Sequence, residues 1–360
     1  MRMKKLLFAT CCIAFLSGSL GAAAQKKSAA KNVLTQTLKG KSWSADNGNG
    51  TFTNPLFYDE FSDPDIIRVG EDYYLAGTTM HSVPGLVVLH SKDLVNWEFS
   101  SYCFDRFDDS DDFNLRNGKE AYGQGIWAPA IRYHNGKFYI FSNINGHGLQ
   151  VYISDSAKGP WTHHKINGDI YDLSVLFDED GKIYAVHKYG NVTVTELKPD
   201  LSGPVEGSSK VVIPEGNAMG EGHHVYKING MYYILSADYS PMGRMQCARS
   251  KSIWGPYETC VISERESYGY AAGWSVGNMG IGRPLPEDGF SFQNNKPNGL
   301  NLGCATIHQG GIVQAPDGKW WGVSMQDFNA VGRTVCLSPV TWVDGWPYFG
   351  LEKNLGRSPR

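Results

Sequence analysis

The chain has 360 residues, with 33 basic and 36 acidic side chains, 42 glycines and 12% aromatic residues. A formal charge of −3 leaves no basic surplus, so nucleic acid and anionic membrane surfaces are disfavoured as partners. No long stretch shows 3.6-residue periodicity with caps, which excludes a helical architecture and favours many short strands joined by tight turns.

The first residues read as a targeting segment. Arg2, Lys4 and Lys5 precede a mostly apolar run from Leu6 to Leu20, and Ala22, Ala23 and Ala24 offer a cleavage site before Gln25. This predicts a secretory signal over residues 1–24 and a secreted or periplasmic protein. The apolar run is too short for an anchor and is broken by Ser17, Gly18 and Ser19. No membrane insertion is expected after signal removal. The remaining chain carries 30 basic against 36 acidic residues, a formal charge of −6. It keeps Cys103, Cys247, Cys260, Cys304 and Cys336, an odd, scattered set that is no disulfide framework. Cys247 and Cys260 could face each other across a hairpin, or stand as buried thiols.

Residues 25–50 are rich in Lys, Ala, Ser, Asn and Gly and read as a flexible lead-in. From there a hairpin signature recurs five times: Gly70–Thr78, Asn135–Ser142, Asp180–His187, Asn229–Ser236 and Asp317–Ser324. Each is a turn dipeptide or its near equivalent, followed by aromatic and β-branched residues. A second signature marks outer strands: His90–Trp97, Ile153–Trp161 and Arg249–Tyr257 each set an aromatic after a polar turn, where it packs a blade edge. Five copies predict an all-β, five-bladed β-propeller over residues 51–350. Residues 351–360 form a tail, either a natural end or the start of a further C-terminal region. Two insertions interrupt the rhythm. The Asp-rich 103–124 segment lacks the Gly and Glu of a calcium loop and reads as a solvated loop. The Gly-, Asn- and Pro-rich 264–303 segment reads as a long, site-shaping loop.

Three acidic residues share a place relative to their own hairpins. Asp63, Asp172 and Glu221 each stand where an inner strand begins. Inner strands of a propeller line its central channel, so such residues converge at one end of it. Three carboxylates suit inverting glycoside hydrolysis. One activates water, one protonates the leaving oxygen, and a third keeps the acid protonated by like-charge repulsion. Asp65, Asp178 and Asp180 read instead as turn residues, near Pro64 or in the turn Asp178–Gly181.

At these residues the chain resembles glycoside hydrolase family 43, the five-bladed propeller hydrolases with β-xylosidase and α-L-arabinofuranosidase members. The likeness runs through Asp63–Val69, His90–Trp97, Ile126–Ile131, Asp172–Phe177, Glu221–Tyr226, His308–Gly311, Gly332–Val335 and Val340–Pro347. The resemblance implies that Asp63 is the general base, Glu221 the general acid, and Asp172 the residue that orients the acid and raises its pKa. It implies that Arg333 holds hydroxyls of the terminal sugar and that Trp127 walls that subsite. His308 resembles an axial histidine that lies beneath the sugar in some members and helps hold a calcium ion in others. Any calcium here would be structural, and no cofactor is required. His224 resembles a family histidine three positions past the acid, counted among the substrate-binding residues. His223 departs from the family, which often has Pro there. The Met80-His81 loop departs from the aromatic-rich version of some xylosidases.

The expected activity is release of terminal xylose or arabinofuranose from xylan- or arabinoxylan-type plant polysaccharides and oligosaccharides by an inverting exo-glycosidase. Two rivals are an endo-acting arabinanase, which needs a channel open at both ends, and a carbohydrate-binding propeller without catalysis, which predicts a missing carboxylate.

Overall fold

A computed structural model describes residues 43–107, 110–122, 124–217, 219–238, 244–263, 309–327, 333–353 and 355. The expected signal, residues 25–42 of the lead-in, the 264–303 loop, Cys304 and His308 lie outside the described residues. The chain divides into two compact units, Met1–Trp43 and Ser44–Arg360, and all five sheets belong to the second.

Each sheet is a four-stranded antiparallel meander. The first holds β1 (Ser62–Val69), β2 (Asp72–Thr78), β3 (Gly85–Ser91) and β4 (Trp97–Phe104). The second holds β5 (Ala130–His134), β6 (Lys137–Ile144), β7 (Gly148–Ser154) and β8 (Thr162–Lys165). The third holds β9 (Ser174–Phe177), β10 (Ile183–His187), β11 (Val192–Leu197) and β12 (Lys210–Ile213). The fourth holds β13 (Glu221–Ile228), β14 (Met231–Asp238), β15 (Arg244–Ser250) and β16 (Glu258–Val261). The fifth holds β17 (Ile312–Gln314), β18 (Trp320–Asp327), β19 (Arg333–Val343) and β20 (Trp346–Phe349). The five recurring hairpins are the inner hairpins of these blades. At Asn135-Gly136 (φ 48° and 81°) and Asn229-Gly230 (φ 51° and 76°) both turn residues are left-handed, the twist that suits a two-residue hairpin.

Sheets this narrow cannot bury their own faces, so the core lies in the seams. Leu86 and Val88 pack with Ile131 and Ile140 between the first two blades. Phe141 and Val151 meet Val175 and Ala185 at the next seam, and Val186 and Val194 meet Ile234 and Ala248 after it. Leu235 and Cys247 join Ile312 and Val340, and Leu75 closes the ring against Val323 and Val335. Each buried Val, Leu, Ile or Phe among them stabilises the seam by roughly 1.5–3 kcal/mol. The segment before β1 stitches the ring. Leu56 N donates to Val335 O and Phe61 N to Arg333 O, both at 2.8 Å, and the Asn54 amide pairs with the Leu337 backbone.

The outer aromatics pack as expected. Trp161 Nε1 donates to Ser101 Oγ of the neighbouring blade at 3.1 Å, and Tyr257 Oη donates to Ile253 O at 2.9 Å. Cys247 and Cys260 are cross-strand partners and both are free thiols.

Candidate active site

The inner strands β1, β5, β9, β13 and β17 neighbour one another around the axis, apart from the β13/β17 step, where Ile312 N donates to Tyr226 Oη at 2.9 Å. Asp63 at the head of β1 and Asp172 just ahead of β9 occupy the same backbone state, with φ of 52° and 50°. An L-residue held there is strained, and such positions cluster at functional sites. Glu221 is one residue out of that phase. The ladder slips between Ser62 and Asp65 in β1, and between Glu221 and His224 in β13. Ser62 is therefore the counterpart of Glu221, and the left-handed position in β13 falls to Gly222 (φ 65°). A side chain at Gly222 would also meet Gln309, whose Cγ lies 2.6 Å from where Cβ would stand.

The three carboxylates nonetheless face one space. Gly222 N donates to Asp172 Oδ2 at 2.7 Å, which ties Asp172 to the backbone beside Glu221. Tyr171 Oη donates to Glu221 Oε2 at 3.1 Å. Arg333 Nη1 lies 3.5 Å from Asp63 Oδ1 and donates to Ser62 Oγ at 2.9 Å. Burial, then the charges of Glu221 and Asp63, push Asp172 up to about 7. Glu221 is also raised, by burial first and then by Asp63, against the lowering pull of the Tyr171 hydrogen bond and Arg333. Both carboxyls are thus raised, and their titration belongs to the pair.

Trp127 is half-buried and lies across Gly125, where a Cβ would stand 1.9 Å from the indole. It lines a cavity of about 950 Å³ with Glu60, Thr78, Met80, His81 and Tyr122 among others. None of the three carboxylates lines this cavity. It adjoins them through Glu60, whose Oε2 accepts from Arg333 N at 2.8 Å.

Beneath the carboxylates is a second polar layer. Asp65, expected as a turn residue, instead belongs to this layer and is fully buried. Its Oδ2 accepts from Arg132 Nη1 at 2.5 Å and from Ile131 N at 2.9 Å, while His224 Nδ1 lies 3.0 Å from Oδ1. Arg132 also bonds Ser174 Oγ and Val175 O at 2.5 Å each. Burial alone would raise the Asp65 pKa, but Arg132 and His224 outweigh it and hold the carboxyl below its usual range. The Asp-Pro pair hid this role because only the fold brings β5 and β13 against it. Asp178 likewise does more than cap its turn, accepting from Lys227 Nζ at 2.7 Å and Tyr232 Oη at 2.6 Å on the next blade.

Among the described residues, the axial carboxylate Asp65 is not open to a calcium ion. Asp65 already has a guanidinium partner, and that fixed positive charge opposes a second cation. No group of three or more His, Cys, Asp or Glu side chains suited to a metal occurs among the described residues. His224 is buried, with Nδ1 committed to Asp65.

Sequence reading passed over Tyr171 and Asn143. Tyr171 directly precedes Asp172, but nothing in a lone tyrosine announces a bond to a glutamate fifty positions away. Asn143 Nδ2 donates to Ile170 O at 2.8 Å, and its Oδ1 accepts from Asp172 N at 3.0 Å, so one side chain from β6 clips both sides of Tyr171.

The sequence profile of Glycosyl hydrolases family 43 matches residues 52–269, a span that includes Asp63, Asp172 and Glu221. The chain belongs to this family. It is 34% identical to the "Non-reducing end alpha-L-arabinofuranosidase BoGH43B" of Bacteroides ovatus, over 84% of this chain and 54% of that protein. It is 30% identical to a "Beta-xylosidase" of Formosa agariphila, over 92% of this chain and 56% of that protein. A solved structure described as a bifunctional GH43-CE protein of Bacteroides eggerthii superposes with a TM-score of 0.70 at 34% identity, covering 85% of this chain and 36% of the other. The chain spans about half the length of the curated relatives it matches.

Proposed function

We propose that this family 43 chain is an inverting exo-glycosidase that removes a terminal xylose or arabinofuranose from xylan- or arabinoxylan-type plant glycans. The observation that carries this is the meeting of Asp63, Asp172 and Glu221, from three blades, around one space, where burial and the neighbouring carboxylates raise both Asp172 and Glu221. The names of relatives support the substrate class, including a "Xylan 1,3-beta-xylosidase" of a Vibrio species.

In this mechanism the terminal sugar sits above the axial layer, with Arg333 offering donors to its hydroxyls and Trp127 walling the subsite. Glu221 gives its proton to the glycosidic oxygen as the anomeric bond breaks. Asp63 takes a proton from a water that attacks the opposite face, so the product emerges with inverted configuration. Asp172 holds the Gly222 amide and so fixes the backbone beside the acid, while burial and then the charge of Asp63 favour the protonated form of Glu221. Inversion requires the Asp63 and Glu221 carboxyls to be roughly 6.5–9.5 Å apart. The chemistry requires no metal. His224 is proposed to support the subsite floor through Asp65.

Paired hydrolysis of an aryl β-D-xyloside and an aryl α-L-arabinofuranoside tests the reading and separates the two sugars. Monosaccharide alone as product supports exo action. A mixture of longer products supports an endo-arabinanase, and no hydrolysis of either aryl glycoside or of arabinan supports a binding propeller.

A further inference from the structure

Tyr171 is held unusually well for a residue whose ring contributes little to the core. It is 45% exposed, so packing does not explain its place. Its carbonyl accepts from Lys188 N at 2.9 Å. The carbonyl before it and the amide after it are both taken by Asn143. Lys188 is itself braced from the next blade. His223 Nε2 donates to Lys188 O at 2.6 Å, which leaves Nδ1 to accept from Ser236 Oγ at 2.5 Å. Burial holds His223 neutral, with its pKa lowered to about 4, so this brace keeps one tautomer across the working pH range. Three blades thus fix the backbone of one exposed tyrosine, and its hydroxyl meets Glu221.

We propose that Tyr171 is a positioning residue for the acid: its phenol engages Oε2 of Glu221, so that Oε1 carries the proton toward the departing glycosidic oxygen. This rests on Glu221 being the general acid. A carboxylic acid has one carbonyl oxygen and one hydroxyl. A donor fixed on Oε2 makes that atom the carbonyl oxygen and leaves the hydroxyl on the other. Partial burial and the Glu221 carboxylate push the phenol pKa up, so Tyr171 remains a donor wherever the enzyme works. Among the described residues, the charged and titratable groups facing Glu221 are Asp63 from β1, Tyr171 and Asp172 ahead of β9, and Arg333 from β19. Of these, Tyr171 and Arg333 favour ionised Glu221, while Asp63 opposes it. His223, which departs from the proline frequent in the family, belongs to this brace.

The test is Tyr171→Phe, which keeps the ring and removes only the hydroxyl. Rates are measured on aryl glycosides whose leaving phenols span a wide pKa range, and as a function of pH. Loss of the donor raises the acid's pKa, so the alkaline limb of kcat/KM moves to higher pH. The rate loss is roughly tenfold for a poor leaving group and under about twofold for an activated phenol that needs no protonation. An equal loss on all leaving groups with an unmoved limb assigns Tyr171 a structural role and overturns the proposal. An unchanged profile overturns it as well. Glu221→Ala, run in parallel, separates the two claims. If that variant keeps full rate on poor leaving groups, the assignment of the acid has failed. If it loses them and Tyr171→Phe does not, only the positioning role has failed.

Discussion

Two layers of the same inner strands carry aspartate to opposite ends. Asp63 and Asp65 are two residues apart in β1 and both are buried. Asp65 faces a guanidinium and an imidazole across the axis, and its pKa is lowered. One layer above, Asp63 joins Asp172 and Glu221, so three carboxyls share a space with Arg333, and the Asp172–Glu221 pair titrates upward. Charge balance below gives a fixed floor. Charge excess above raises Asp172 and Glu221, the direction a proton donor needs. The comparison shows that residue type and depth do not set a carboxylate's task; the partners supplied by neighbouring blades do.

Substitutions in the upper layer are expected to remove chemistry without unfolding the protein. Asp63→Ala or Glu221→Ala should lower kcat on natural-type glycans by about 10²–10⁴-fold with near-unchanged thermal unfolding. A variant that kept its rate would transfer the role elsewhere.

Below, the order reverses. Arg132→Met leaves Asp65 buried without its main partner, which costs about 3–5 kcal/mol. Denaturant unfolding should show that loss, while the residual folded enzyme keeps its pH profile. A shifted profile with unchanged stability would erase the distinction between the layers.

Asp172→Asn sharpens the comparison, because it touches both rate and stability. The alkaline limb of kcat/KM should move to lower pH, since Glu221 then titrates without the coupled carboxyl whose pKa is raised to about 7. For stability the sign follows from the raised pKa. A carboxyl whose folded pKa (about 7) exceeds its unfolded value near 3.8 stabilises the protein below pH 3.8, and that contribution is lost as pH rises through 7. The variant should therefore be more stable than the parent above pH 7, by roughly 2–4 kcal/mol, with the gap closing toward pH 4. Unfolding curves at pH 4 and pH 8 check this.

The smallest effect concerns metal. With Arg132 already on Asp65, chelator or added calcium should change neither activity nor unfolding temperature. A calcium-dependent rise in either would place a cation where the guanidinium was thought to suffice.

The blades were readable in the sequence because a hairpin turn leaves a local mark. Asn135-Gly136 and Asn229-Gly230 need left-handed backbone, and the sequence supplies residues that accept it. The convergence of Asp63, Asp172 and Glu221 was readable because the repeat carries its phase with it, although in β13 the left-handed place equivalent to Asp63 falls to Gly222, one position past Glu221. The lower layer was not readable. Arg132 meets Asp65 across 67 positions and His224 meets it across 159, and no local pattern records a contact that exists only once the ring closes. Tyr171 and Asn143 escaped for the same reason.

The most direct test of the upper layer as an inverting centre is proton NMR of the sugar first released from an aryl glycoside, read before mutarotation. The two-layer account predicts that a β-xyloside gives α-xylose, or that an α-arabinofuranoside gives the β-anomer. Release of the starting anomer would mean a carboxylate attacks the sugar directly, and would contradict the assignment of Asp63 as the base that activates water.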